Sequence, residues 1–250
     1  MSSPCATCTR RCCHHYIVTV TGYDVWVIAR GLRLAPEQFL IAVPQWTPTG
    51  RGFRLDRGER TFEIALDKAR ARTKERPCVF WYGLPGGGGR CGIYPFRPQV
   101  CQTYPAVLHQ GAALRREDVL CPEDAWRDGA LQGPPWRGRL THMRVETDIY
   151  GLMVARWNQH VLATAHPERL SLAGYYAYLL AFYERLAPVR AMLDAAEWAA
   201  LCDQWSWAVE RGSSPLVEAA PALEPWAEVL AAIRAVAGEF FLDDLLVAAD

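Results

Sequence analysis

Four cysteines fall within nine residues, CATCTRRCC from Cys5 to Cys13, where Thr7, Thr9, Arg10 and Arg11 leave no apolar stretch to bury them. Thiols spaced C-x2-C-x3-C-C in such surroundings act as ligands or cross-links rather than packing groups. Four more follow at Cys78, Cys91, Cys101 and Cys121, the first three in stretches that hold glycine, proline and aromatic residues, and only Cys202 of the nine stands apart. A C-x2-C step lets two sulfurs converge on one metal, as in zinc ribbons and iron–sulfur loops. If Pro4 opens a helical turn capped by Ser2 or Ser3, then Cys5, Cys8 and Cys12 share one face. Cys13 then points about 100° away, toward another metal atom or another edge of one cluster. The spacing therefore predicts metal ligands at Cys5, Cys8, Cys12, Cys13, Cys78, Cys91, Cys101 and Cys121. A [4Fe-4S] cluster is preferred to Zn2+, because adjacent cysteines suit a polynuclear centre better than one tetrahedral ion. Cys202, inside the helical pattern of ALCDQWSW, is read as core, and His14 and His15 as polar residues leading into a strand.

The rest of the first half reads as short elements. Tyr16 to Thr21 alternates and is β-rich, predicting a strand; Thr21 or Asp24 then starts a helix that runs through Arg30 and stops at Gly31. Pro36 begins a second short helix, PEQFLIAV, ending before Pro44. Phe53 to Asp56 and Thr61 to Leu66 flank DRGE as one hairpin. Cys78 to Gly83 and Cys91 to Tyr94 flank LPGGGGR as another, which brings two cysteines together at its base. Gly86 to Gly89 is a hairpin tip and not a phosphate loop, since no Lys-Ser/Thr follows and no helix opens behind it. In IYPFRPQVC, prolines stiffen the backbone around Arg97, whose guanidinium is placed to hydrogen-bond a thiolate and tune the metal site without ligating it.

After Pro122 the pattern changes to apolar positions at helical spacing: Met143 to Leu162, Leu170 to Leu186, Val189 to Val209 and Leu216 to Ala235, punctuated by Pro167, Pro188, Pro215 and Pro221, with FFLDDLLVAA as a last turn or two. Short links imply an antiparallel bundle with enough periodic helix to bury a core of its own. The expected fold is α+β and mainly α: a small, metal-stapled cysteine-rich domain of short strands and helices over 1–121, followed by an antiparallel α-helical region over 122–250 packed on it. The run Tyr175, Tyr176, Tyr178, Phe182 and Tyr183 carries too many phenols for a simple core, so some of them are expected to face a protein partner or a cavity.

Net charge is zero, but residues 1–121 hold 17 Lys and Arg against 9 Asp and Glu, and the remainder has the opposite balance. Arg10, Arg11, Arg90 and Arg97 lie in the cysteine segments, where they offset thiolate charge, so the basic excess argues only weakly for nucleic acid. No apolar run approaches the ~20 uncharged residues of a membrane span, Leu170 to Leu186 being broken by tyrosines and Glu184. The first residues show no basic-then-apolar leader, and the chain is expected in the cytoplasm, where cysteines serve as ligands or catalytic thiols more often than in disulfides.

In CATCTRRCC, VTVTGYDVWVIARGLRLAPEQFL, CVFWYG and CGIYPFRPQVCQTYP the chain resembles the YkgJ-type cysteine-cluster proteins, described as a zinc- or iron-chelating domain with a CxxCxxxCC signature. The resemblance covers roughly residues 5 to 121. Gln102 departs from it, standing where the pattern usually has arginine. Flagellin lysine methylases are similar in their cysteine signature, so the resemblance also implies an enzyme of protein or peptide modification that uses the cluster. Against this, the chain has no glycine-rich dinucleotide fingerprint and no C-x3-C-x2-C radical motif, and no H-E-x-x-H supports hydrolytic zinc. The leading expectation is a metal-binding protein whose cysteines hold an iron–sulfur cluster or zinc for metal handling, electron transfer or stabilisation of a binding site. A nucleic-acid-binding zinc module stands third.

Overall fold

The computed structural model describes residues 12–47, 50–69, 76–85, 89–121, 126, 131, 133–165, 170–216 and 221–238. Cys5, Cys8, the tip glycines 86–88 and the C-terminal FFLDDLLVAA lie outside the described residues. The architecture is α+β and mainly helical, with three small antiparallel strand pairs among the described residues.

The chain opens with the single turn α1 (Cys12–His15) and the helix α2 (Gly22–Leu32). Thr21 caps α2 through a reciprocal box: its Oγ1 accepts from the Asp24 amide, and Asp24 Oδ2 accepts from the Thr21 amide at 3.0 Å. Gly31 does not stop this helix. It lies within it, where a Cβ would come 3.1 Å from the Phe96 ring, and the turn ends instead at Arg33 in the left-handed region, φ 55°. The predicted strand Tyr16 to Thr21 reduces to one bridge, Thr19 to Ala65, flanked by hydrogen bonds from Val20 to Ile64 and from Leu66 to Val18.

The predicted helix PEQFLIAV is a 3-10 turn, Pro36–Gln38, followed by strand β1 (Leu40–Pro44). Leu, Ile and Val in LIAVP fit a strand better than the second turn of a helix, and a long-range partner decides the matter. That partner is β2 (Phe62–Leu66), paired antiparallel from Leu40 opposite Leu66 to Pro44 opposite Phe62. Phe53 meets Phe62 in a single bridge, so the predicted local hairpin around DRGE gives way to this longer-range pairing. The second predicted hairpin is present in shorter form, β3 (Trp81–Gly83) against β4 (Gly89–Cys91), with Trp81 opposite Cys91. Gly89 lets the indole lie across the pair, since a Cβ there would fall 2.1 Å from Trp81. A 3-10 turn at Tyr94–Phe96, the short α3 (Gln99–Thr103) and the pair β5 (Ala106–His109) with β6 (Ala112–Arg115) complete the first half.

The second half holds α4 (Pro134–Ala163), α5 (Leu172–Arg190), α6 (Ala195–Glu210), a 3-10 segment Pro221–Trp226 and α7 (Ala227–Gly238). Helix α4 begins nine residues before Met143, because Pro134 and Pro135 suit a first turn, where their missing amides cost nothing. Pro188 sits inside α5 rather than ending it, and Val189 belongs to α5, not to the helix after it. Asp194 caps α6 by accepting from the amides of Ala196 and Glu197.

Val145, Ile149, Met153, Trp157 and Val161 form the buried stripe of α4, at a four-residue spacing that keeps one face inward. The phenols of α5 are core, not a partner surface: Tyr175, Tyr176, Tyr178, Phe182 and Tyr183 are all essentially inaccessible. Hydrogen bonds accommodate some of their hydroxyls, Tyr150 with Tyr175 at 2.8 Å and Tyr178 to the Met153 carbonyl at 3.2 Å. The helices do not close on themselves. Phe53 stacks on Tyr175 at 3.8 Å, Trp157 Nε1 donates to the Arg54 carbonyl at 2.7 Å, and Asn158 is bonded to Gly52 and Arg54. One hydrophobic core thus runs from Val20, Ile28 and Ile64 through Ile149, Phe182 and Trp205 to Ile233. Among the described residues no helix is long and apolar enough to cross a membrane.

Candidate metal centre

Four separate segments of the first half carry cysteines. Cys12 and Cys13 open α1, Cys78 precedes β3, Cys91 ends β4, and Cys101 lies on α3. Backbone bonds hold these segments in place. The Cys78 amide donates to the Cys13 carbonyl at 2.8 Å, Lys68 pairs with Cys78 in a β-bridge, and Gly92 donates to Phe80 at 2.7 Å across the hairpin base. Lys68 Nζ adds bonds to the carbonyls of Cys13 at 3.1 Å and Tyr16 at 2.5 Å. Its position in LDKAR carries no sequence motif, so only the long-range pairing reveals it.

Electrostatics tie the thiols together. A hydrogen bond from Cys12, with the Lys68 ammonium nearby, overcomes burial and lowers the Cys13 thiol to about 7. Burial raises Cys78 to about 11, and the charges of Cys13 and Cys91 push the same way. Cys91 is raised by burial and by Cys13, and Cys101 well above the ordinary thiol range by burial and then by Cys13, Cys78 and Cys91. These four sulfurs therefore lie within Coulombic reach of one another. Two of them also receive backbone donors, since the amides of Phe80 and Ile93, each two residues on, favour the thiolates of Cys78 and Cys91. Amide donors to sulfur, with the charges of Lys68 near Cys13 and Arg97 near Cys91, suit thiolates that share a cation.

No disulfide joins the described cysteines, and no group of three or more His, Cys, Asp or Glu among the described residues forms a site that could hold a metal ion. The arrangement is a neighbourhood of thiols, not a closed ligand set. Cys121 has surroundings of its own: Arg115 donates to its carbonyl at 3.1 Å, its side chain bonds Tyr104, and it packs beside Ala106, Ala113 and Leu140 in a small second core. Cys202 is buried in α6, its thiol raised by desolvation, as a packing residue. His14 and His15 belong to α1; His14 meets Trp81 edge-on at 4.4 Å, and His15 is exposed. Arg97 lies over the Tyr94 ring at 4.1 Å, and its charge works against the burial that raises the Cys91 thiol.

Residues 4–122 match the model of the CxxCxxCC family, described as a putative zinc- or iron-chelating domain. The matched span contains the cysteine segments from Cys5 to Cys121, and the match supports metal binding as the general property of this half. No curated protein and no solved structure matches the chain.

Proposed function

We propose that the first half holds an iron–sulfur cluster, or failing that zinc, and that this centre stabilises a binding site formed with the helices. The observation that carries the reading is the shared electrostatic neighbourhood of Cys13, Cys78, Cys91 and Cys101, thiols from four segments with amide donors aimed at two of them. Clustered thiols in partly buried surroundings need a cation to be stable as thiolates. Cys13, Cys78, Cys91 and Cys101 would supply the central ligands, with Cys5, Cys8, Cys12 and Cys121 completing this centre or a second one. Bound metal would supply a cross-link between α1, the β3–β4 hairpin and α3, and in the iron form a redox couple.

Lys68 and Arg97 act around the ligands: the ammonium fixes the Cys13 carbonyl, and the guanidinium offsets charge at Cys91. In this division residues 1–121 carry the ligands and 122–250 form the helical support packed on them. The test is purification of the full chain without oxygen, followed by quantification of iron, acid-labile sulfide and zinc. Equal iron and sulfide with visible absorption that bleaches on reduction supports the cluster. Stoichiometric zinc in a colourless protein transfers the proposal to zinc, and protein with neither metal, even after reconstitution, overturns it.

A further inference from the structure

A cavity of about 150 Å³ opens between α2, α3 and α4, lined by Tyr23, Gln99, Gln102, Thr103, Arg139 and His142. Three of its polar side chains are already engaged by the protein. Gln102 donates to the Arg97 carbonyl at 2.7 Å, and Thr103 Oγ1 donates to the Gln99 carbonyl at 2.9 Å. His142 Nε2 is bonded to Glu146 Oε1 at 3.2 Å, and Glu146 is in turn ion-paired with Arg190. Gln99 is the buried exception. It is only 5% exposed, its backbone amide is fixed on Asp24 Oδ1 at 2.8 Å, yet among the described residues neither the oxygen nor the nitrogen of its side-chain amide has a partner. A buried primary amide with both ends unpaired is rare in folded proteins, and a bound molecule is one way to complete it.

The groups available to such a molecule are of two kinds. Arg139 is exposed, rests over the Trp136 ring at 5.6 Å, and has no ion pair among the described residues; with the Tyr23 hydroxyl and Gln99 Nε2 it offers donors. Gln99 Oε1 is an acceptor, and so is His142 Nδ1 when the ring donates through Nε2 to the Glu146 carboxylate. Donors around a guanidinium together with buried acceptors match a carboxylate and an ammonium carried on one small molecule.

We propose that this cavity binds a free α-amino acid, its carboxylate on Arg139 and Tyr23 and its ammonium on Gln99 Oε1 and His142 Nδ1. Its α3 residues lie within two positions of Cys101, so the half that carries the candidate ligands shapes it, but the inference rests on the cavity and not on the metal. The experiment titrates the full chain with L-alanine, with acetate and with ethylamine, following the His142 ring resonances by NMR. L-alanine is expected to give a saturable shift at least tenfold tighter than either half-molecule. Arg139→Gln, an exposed change that leaves packing intact, should weaken L-alanine at least tenfold and leave ethylamine unaffected; Gln99→Leu should abolish the L-alanine shift while thermal melts report the fold. Metal content measured in every sample separates this result from the metal reading. The proposal is overturned if no probe gives a saturable shift, if L-alanine binds no tighter than acetate or ethylamine, or if Arg139→Gln titrates like the parent.

Discussion

The backbone amide of Cys78 donates to the carbonyl of Cys13 at 2.8 Å, so two cysteine segments far apart in sequence are fixed to each other before any metal is considered. Because the main chain makes this link, replacing a sulfur should remove metal without dismantling the local fold. Cys13→Ser, Cys78→Ser and Cys101→Ser are each expected to lower metal content at least several-fold, while Cys202→Ala, a core residue of α6, keeps it. Elemental analysis of the four variants checks this. Equal content in all four would sink the ligand assignment.

How much of this was legible in the sequence follows from the range of the forces involved. Local signals were readable: the start of α2 at Thr21 or Asp24 and the helical stripe from Val145 to Val161, whereas the prolines that open α4 lie ahead of the predicted start at Met143. What failed depended on partners distant in sequence. LIAVP becomes a strand because FEIAL pairs with it, and Gly31 stays helical because Phe96 needs the space its missing Cβ leaves. The phenols of α5 looked too polar to bury, and only partners such as Tyr150 and the Met153 carbonyl make burial tolerable. At the candidate site, cysteine spacing names candidate ligands, but the link through Lys68 and the unpaired amide of Gln99 carry no local pattern.

Gly22, the first residue of α2, lies against α5 so closely that a Cβ would come 2.3 Å from Tyr183 Cε2. Tyr183 is fully buried and its ring has nowhere to move. Gly22→Ala is therefore expected to destabilise the protein by about 1–3 kcal/mol through overpacking, despite the better helix propensity of alanine. A denaturant midpoint shifted down with an unchanged slope would confirm it; an unchanged midpoint would show that α2 can slide.

Glu146 is completely buried, and although desolvation works to raise its carboxyl, Arg190 and His142 hold it below the ordinary range. Arg190 is itself enclosed, 4.4 Å over Tyr23 and 5.3 Å over Trp198. Removing one partner strands the other charge, so Arg190→Met is expected to cost about 3–5 kcal/mol. The double variant Glu146→Leu with Arg190→Met should cost less than Arg190→Met alone, a non-additivity that a double-mutant cycle measures directly.

The core crosses residue 121 without a break, Phe53 stacking on Tyr175 and Ile28 and Ile64 joining Phe182. Ligand-bearing and helical segments are thus expected to unfold together. Circular dichroism in the far ultraviolet, dominated by helices, and tryptophan fluorescence should trace one superimposable transition, and chelation should move the whole midpoint down. Two resolved transitions would mean that the helices keep an independent core.

Asp24 supplies the clearest pH dependence. Its carboxylate accepts from the Thr21 amide, the Thr21 hydroxyl and the Gln99 amide, yet burial outweighs these bonds and raises it from an ordinary 3.8 to about 6. A carboxyl raised on folding is protonated more readily in the native than in the unfolded state. Its contribution is therefore fully present below the unfolded value and is lost as pH rises through about 6. A shift of this size corresponds to about 3 kcal/mol at most. Asp24→Asn keeps an acceptor for the Gln99 amide while losing one toward Thr21, so its absolute stability is lower at acid pH. What should disappear is the slope. Between roughly pH 4 and 7, the stability of the parent relative to the variant is expected to fall with rising pH. Chemical denaturation of both proteins across that range measures the difference, and a flat difference would mean that Asp24 stays ionised throughout, its three hydrogen bonds having outweighed burial.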